Sequence, residues 1–460
     1  MRIVENLKSI VLTLLIGISL ILTGSLWFDN YYGLSSVVSN MISFFYNKID
    51  LEDANYIKEY LSPYKTVIAN GDNGKWIYYV SSEENKICFE YLKDLLINLT
   101  EFSVDSAYNS EWEELVKRKS IICEFADNID AKLLNLVLNN KLDLPSTAPL
   151  YITSIAITKS TNGGRIYIKT NDIIYRITIN DIGNFEQIIA NFSNAETYSK
   201  YVQLEELGAT TFNGRKIETQ YDVLLPISAK SGNRQVVSKL MISKKFNDIE
   251  KMEETVEKIF KSYDYIKFIT NENGYIYIND DETVIKLTDN IIEYTASSAK
   301  KAENDATWVS SFNTALLFTD TVSGLKNLYL VSALNNDGIY EFVFGTYVNE
   351  IPVIDSNNTI YDNENAKIHI KVNNNTVVYY KEILNSYSSE PLFVYLSNFA
   401  HNILDAILVK VPKNTTLKIE NIELVYDISS DSNLPLWVTE YKYNDEINTV
   451  SIEAAKERKY

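Results

Sequence analysis

Histidine and cysteine are scarce in this chain, with two of each among 460 residues. Two cysteines, Cys88 and Cys123, exclude a disulfide-stapled scaffold. They leave two readings open, one disulfide or two buried thiols that behave as small apolar groups. There is no C-x-x-C and no H-E-x-x-H, so no zinc site is expected. His369 lies in the strand-like AKIHIKV, and His401 falls at the end of a helical stretch near 392–404. No G-x-S-x-G surrounds any serine, so nothing supports Ser–His chemistry. The pair Gly163-Gly164 separates two strand patterns, whereas a phosphate-binding loop joins a strand to a helix. The acids Asp280-Asp281-Glu282, and Asp427 with Asp431, lack the spacing of a calcium loop. Bases are the minority charge, 43 against 61 acids for a net −18, which argues against nucleic acid as a partner. No catalytic residue, metal or cofactor is expected, and the chain does not read as an enzyme.

One long uncharged run is present: SIVLTLLIGISLILTGSLWF, residues 9–28. Twenty helical residues span about 30 Å, the thickness of a bilayer core. A signal-peptide core is shorter and ends at a small-x-small site. Thr23-Gly24-Ser25 imitates such a site weakly, but Leu26, Trp27 and Phe28 carry the run past it. A retained anchor is therefore the expectation, and a cleaved signal the alternative. Arg2 and Lys8 precede the run, and the next base is Lys48. That asymmetry places the N-terminus in the cytoplasm and the bulk of the chain outside the membrane. Trp27, Phe28, Tyr31 and Tyr32 suit an aromatic belt at the outer interface. Ser9, Thr13, Gly17 and Gly24 form a stripe of small side chains, broken by Leu20, of the kind that lets membrane helices approach closely.

Beyond the anchor, 46% hydrophobic residues suit a folded chain with two or three units. LSSVVSNMISFFYNK has one apolar helical face. The stretches YITSIAITK, RIYIKT and DIIYRITI alternate apolar and polar residues around the turn signals Asn162-Gly163-Gly164 and Asn171-Asp172. A helix over about 244–262 precedes YIKFIT, YIYIN, TVIKLT and IIEYTA. A helix over about 306–320 precedes NLYLVSAL and GIYEFVFGTYV, then AKIHIKV and TVVYYKEI. A helix near 392–404 and strands at 405–411, 417–427, 434–442 and 447–452 complete the pattern. Helix followed by meander recurs, which points to an α+β fold: one membrane helix, then two or three outer units of antiparallel sheet with packed helices. The expected divisions are 1–28, 29–225, 226–303 and 304–460. With 33 tyrosines, the strands IYYV, YIYI, IYEFVF and VVYY are candidate binding faces, since tyrosine is enriched at interfaces.

Three stretches, taken in order, resemble the YycH family of Firmicute regulatory proteins: ENLKSIVLTLLIGISLILTGSLW, GIYEFVFGTYVNEIPVI and LKIENIELVYDISSDSNLPLWVTEY. YIYINDDETVIKLTDNIIEY is similar to that family's central region, and residues 29–215 depart most from it. The resemblance implies one N-terminal membrane helix and a large outer part. It also implies action, with a YycI-like partner protein, on the sensor histidine kinase that governs cell-wall metabolism. In that family signalling is expected to pass through membrane-helix contacts, which here fall on residues 9–28. The small stripe Ser9, Thr13, Gly17, Gly24 is the natural contact face. A different class of function also fits: a wall-associated binding protein or hydrolase whose helix is only a tether.

Overall fold

The computed structural model describes residues 55–456, except 100–102, 143, 145–149, 162, 194–199, 208–210, 213–214, 220–222, 228–233, 245–248, 261–264, 270–273, 280–282, 289–290, 297–305, 325, 356–365 and 397–398. All of them lie in one compact unit, Ala54–Tyr460. The helical stretch 34–48 and the anchor lie outside the described residues.

The first half runs α1 (Asn55–Tyr60), β1 (Lys65–Asn70), β2 (Lys75–Tyr79), α2 (Glu83–Ile97), β3 (Val104–Ala107), α3 (Asn109–Glu113), β4 (Lys119–Asp130), α4 (Ala131–Val137), β5 (Tyr151–Ser160), β6 (Gly163–Thr170), β7 (Ile174–Ile179) and α5 (Phe185–Ser193). Short strands follow: β8 (Lys200–Val202), β9 (Thr211–Phe212), β10 (Arg215–Thr219) and β11 (Leu225–Ile227). Local chemistry sets these boundaries. The Ser82 hydroxyl accepts from the Asn85 amide at 3.2 Å and starts α2. Cys88, Phe89, Leu92 and Leu96 then recur at helical spacing and are buried. At the β5–β6 turn Gly163 has φ +118, and a Cβ there would run into the Ile179 carbonyl.

This half is covered on both faces. Ile121, Cys123, Ile155, Ile157, Ile166 and Ile168 belong to one core. Ile122, Ala156 and Tyr167, which alternate with them, belong to another. Burial on both faces explains the nearly continuous apolar runs SIIC and SIAI, because neither face meets water.

The second half runs β12 (Arg234–Lys244), α6 (Ile249–Phe260), β13 (Ile266–Ile269), β14 (Tyr275–Asn279), β15 (Thr283–Leu287), β16 (Ile291–Ala296), α7 (Trp308–Val322), β17 (Leu328–Asn336), β18 (Ile339–Val348), β19 (Ile351–Ile354), β20 (Ile368–Asn373), β21 (Thr376–Ile383), β22 (Asn385–Leu396), α8 (Phe399–Lys410), β23 (Thr416–Asp427), β24 (Leu436–Tyr443), β25 (Glu446–Glu453) and β26 (Ala455–Lys456). The hairpin turns Asp337-Gly338, Asn374-Asn375 and Asn444-Asp445 all have positive φ, the conformation these residues tolerate best.

The α+β expectation holds, with two corrections. The sheet is mixed: β10 and β19 run parallel to β23, and β4 runs parallel to β17. The C-terminal boundaries also move. The stretch 385–396 is a strand, paired with β12 from Asn385 to Tyr395, and the helix begins at Phe399 and runs to Lys410. Leu404, Ile407, Leu408 and Val411 are buried at helical spacing, so 405–411 is not a strand. Strand pairs cross the expected divisions at 225/226 and 303/304: β10 with β23, and β16 with β21.

Candidate interaction face

The stripe Ser9, Thr13, Gly17, Gly24 and the belt Trp27, Phe28, Tyr31, Tyr32 lie outside the described residues. Among the described residues no helix is long and apolar enough to cross a membrane. No group of His, Cys, Asp and Glu among them has the arrangement to hold a metal. Cys88 and Cys123 are free and buried. Burial pushes the Cys88 thiol well up and the Cys123 thiol to about 12, so neither is a nucleophile at neutral pH. Asp427 accepts from the Ser429 amide and hydroxyl at 3.0 and 2.6 Å, the work of a turn-capping acid. His401 lies in the first half of α8.

The tyrosine-rich strands are mainly core. Tyr78, Tyr79, Tyr277, Tyr340 and Tyr380 are all buried. Tyr380 donates to Glu382 at 2.7 Å, Tyr78 to the Phe192 carbonyl at 2.7 Å and Tyr340 to the Ala306 carbonyl at 3.1 Å, whereas the buried Tyr277 hydroxyl has no hydrogen-bond partner among the described residues.

A face emerges instead from strand register. Cross-strand partners share a face, and i, i+2 positions line it. One row therefore runs Phe268, Ile276, Lys286, Glu293, Lys381, His369 across β13, β14, β15, β16, β21 and β20. A second runs Ile266, Ile278, Val284, Thr295, Tyr379, Lys371 and reaches Glu341 on β18. The opposite rows carry Tyr277, Ile285, Tyr294, Tyr380, Ile370 and Phe342, all in or against the first core. Phe318 of α7 packs between Tyr294 and Tyr380, with centroids 5.0 Å from each. Helices thus cover one face of this layer, and the other is open from β13 to β20. At β18 it closes again, where Val343 is fully buried.

The open face changes character along its length. At the β18–β20 end, Glu341 takes His369 Nε2 at 2.6 Å and Lys371 Nζ at 3.5 Å. The His369 hydrogen bond holds the Glu341 carboxyl below its ordinary range. The His369 ring stands edge-on to Tyr379 at 5.2 Å. Along the middle, Lys286, Glu293 and Lys381 alternate in sign on neighbouring strands. At the β13 end the face is apolar, with Ile266 60% and Phe268 49% exposed. The alternation in TVIKLT and AKIHIKV made the two faces of β15 and β20 readable. The exposure of IKFI was not, because an apolar strand reads as interior until its neighbours are known.

Between α4 and the start of α7 lies an open depression of about 330 Å³ lined by Lys132, Asn135, Trp308 and Tyr340 among others. Its titratable lining residues are Lys132 and Tyr340, with no carboxylate, His or Cys beside them. Deep in the fold, Lys65 Nζ sits 2.8 Å from Glu423 and 3.1 Å from Glu124. Tyr79 meets the same cluster, its hydroxyl accepting from the Leu424 amide at 3.2 Å. Burial drives the Tyr79 and Tyr201 phenols upward, so they stay neutral.

These features define an α+β protein of mixed sheet, with one layer doubly covered and one face left open. No family model matches the sequence, and no curated protein matches it. A solved structure does: the crystal structure of YycH from Bacillus subtilis, with a TM-score of 0.52 at 14% identity, over 85% of this chain and 96% of that one. The chain therefore has the YycH fold, as the sequence resemblance implied. The Bacillus megaterium YpeB C-terminal domain aligns with a TM-score of 0.20 at 8% identity, over 45% of this chain and 92% of its own.

Proposed function

We propose that this chain is a membrane-anchored accessory regulator of a sensor histidine kinase, in two-component control of the cell wall. The match to YycH over nearly all of that chain is the observation that carries the reading. In this reading residues 9–28 are a single-pass anchor with the N-terminus in the cytoplasm. Ser9, Thr13, Gly17 and Gly24 face the kinase helices, and Trp27, Phe28, Tyr31 and Tyr32 sit at the outer interface. A YycI-like protein is a second partner. Regulation is then a coupling free energy: the contact must favour one kinase state over the other.

Co-purification from membranes tests this. A tagged chain in mild detergent is expected to bring down a histidine kinase, and Gly17→Leu/Gly24→Leu is expected to lose it, because two leucines keep the backbones apart. Retention by both chains would move the contact to the outer part. Absence of a kinase from both would overturn the regulator and favour a tethered wall-binding protein.

A further inference from the structure

The depression between α4 and the start of α7 collects hydrogen-bond donors. Lys132 is the one cation among its described lining residues, and no carboxylate lines it. The Lys132 ammonium forms no ion pair among the described residues. The Asp130 carboxylate is occupied as the cap of α4, accepting from the Lys132 amide at 2.8 Å, and it lies outside the lining.

The fifteen-residue helix α7 supplies further donors. Its capping box takes up two of its first amides: Thr307 donates to the Ser310 hydroxyl at 3.0 Å, and Ser310 to the Thr307 hydroxyl at 3.1 Å. The amides of Trp308 and Val309 lie between them and have no partner within the helix. Both residues line the depression. A buried group on the same lining then points to something bound. Trp308 is 7% exposed, yet its indole Nε1–H has no acceptor among the described residues. Its ring is fixed edge-on against Tyr340 at 4.9 Å and Phe342 at 5.9 Å, so it does not turn freely to find one. Buried donors in native folds are paired, so the acceptor comes from outside the chain.

Charge and size select the ligand. One ammonium balances one negative charge, so a monocarboxylate fits where a doubly charged phosphate stays half-compensated. Leu136 and Val309 add apolar lining beside the donors. A volume of about 330 Å³ sits at the lower end of small-molecule pockets, about 300–1,000 Å³.

We propose that this depression binds a small organic monocarboxylate with an apolar side group, its carboxylate held by the Lys132 ammonium and the N–H groups of Trp308 and Val309. Such binding needs neither the membrane helix nor a kinase, so it stands or falls independently of the regulator.

The test titrates the full chain, labelled with ¹⁵N at tryptophan and held in detergent, with N-acetyl-leucine. The chain has five tryptophans, and one indole N–H signal is expected to move to saturation. That signal is expected to be missing from Trp308→Phe. Raising the salt is expected to weaken binding. Lys132→Met, at an exposed position, is expected to weaken it about tenfold, with an unchanged circular dichroism spectrum. N-acetyl-leucinamide, which lacks the carboxylate, is expected not to bind. Butyrate identifies the source: binding as tight as that of N-acetyl-leucine assigns a free organic acid, and weaker binding assigns a peptide C-terminus. Equal binding by the amide, equal binding by Lys132→Met, or tighter binding of inorganic phosphate would overturn the proposal. An unmoved Trp308 signal would leave that donor to water and overturn it as well.

Discussion

Lys65 shows how much one buried charge carries. Its ammonium is held between Glu423, whose side chain is 1% exposed, and Glu124. Glu423 Oε2 has no hydrogen-bond partner, so the ammonium is the main compensation for that carboxylate. Removing one partner of such a pair leaves an uncompensated buried charge, whereas replacing both by apolar groups is close to neutral. Lys65→Met is therefore expected to lose about 3–5 kcal/mol of stability. Lys65→Met/Glu423→Leu is expected to recover most of it, as a double-mutant cycle in urea would measure. No recovery would mean that Lys65 matters through packing of its stem. None of this was legible in the sequence, because Lys65 and Glu423 are 358 residues apart. For the two cysteines the sequence left a disulfide and two buried thiols both open, and the structure has them free and buried.

At the scale of elements, α8 and the β12–β22 pair mark where local pattern stops being enough. In the strands of the first half each face meets a core, so pattern and structure agree. In NSYSSEPLFVYL the strand is fixed by β12, about 150 residues earlier in the chain, and no local signal announces it. The helix after it was cut short because DAILVK is a short apolar run, where helix and strand look alike. Its end is secured from outside. Arg215 on β10 donates from Nε to the Val411 and Pro412 carbonyls at 2.7 and 3.1 Å, and from Nη2 to the Leu408 carbonyl at 2.9 Å. Carbonyls of the last helical turn have no partner within the helix, so a buried guanidinium there replaces water. Arg215→Met is expected to cost about 2–3 kcal/mol, read as a lower urea midpoint. Arg215→Lys is expected to restore only part, since one ammonium cannot reproduce the planar fork. Full restoration by lysine would reduce the residue's role to charge at the helix terminus.

For the whole molecule, the contrast between the doubly covered sheet and the open layer sets a gradient of stability. Opening β5 or β6 exposes Ile155, Ile157, Ile166 and Ile168 on one side and Ala156 and Tyr167 on the other, so it disrupts both cores at once. Opening β13 exposes little, because all four of its residues already face water. Regions with few buried contacts open at free energies below global unfolding. Native-state hydrogen exchange in rising urea is therefore expected to separate two classes of amide. Those of β5 and β6 should exchange only with global unfolding, and those of β13 and β14 by local opening, at least about tenfold faster in the absence of urea. If β13 and β14 merged with β5 at every urea concentration, the molecule would be one cooperative block. A contact on the open face would then have no separate equilibrium to bias. If the classes separate, ligand that binds only the ordered hairpin must slow its exchange, by the ratio of free ligand to Kd.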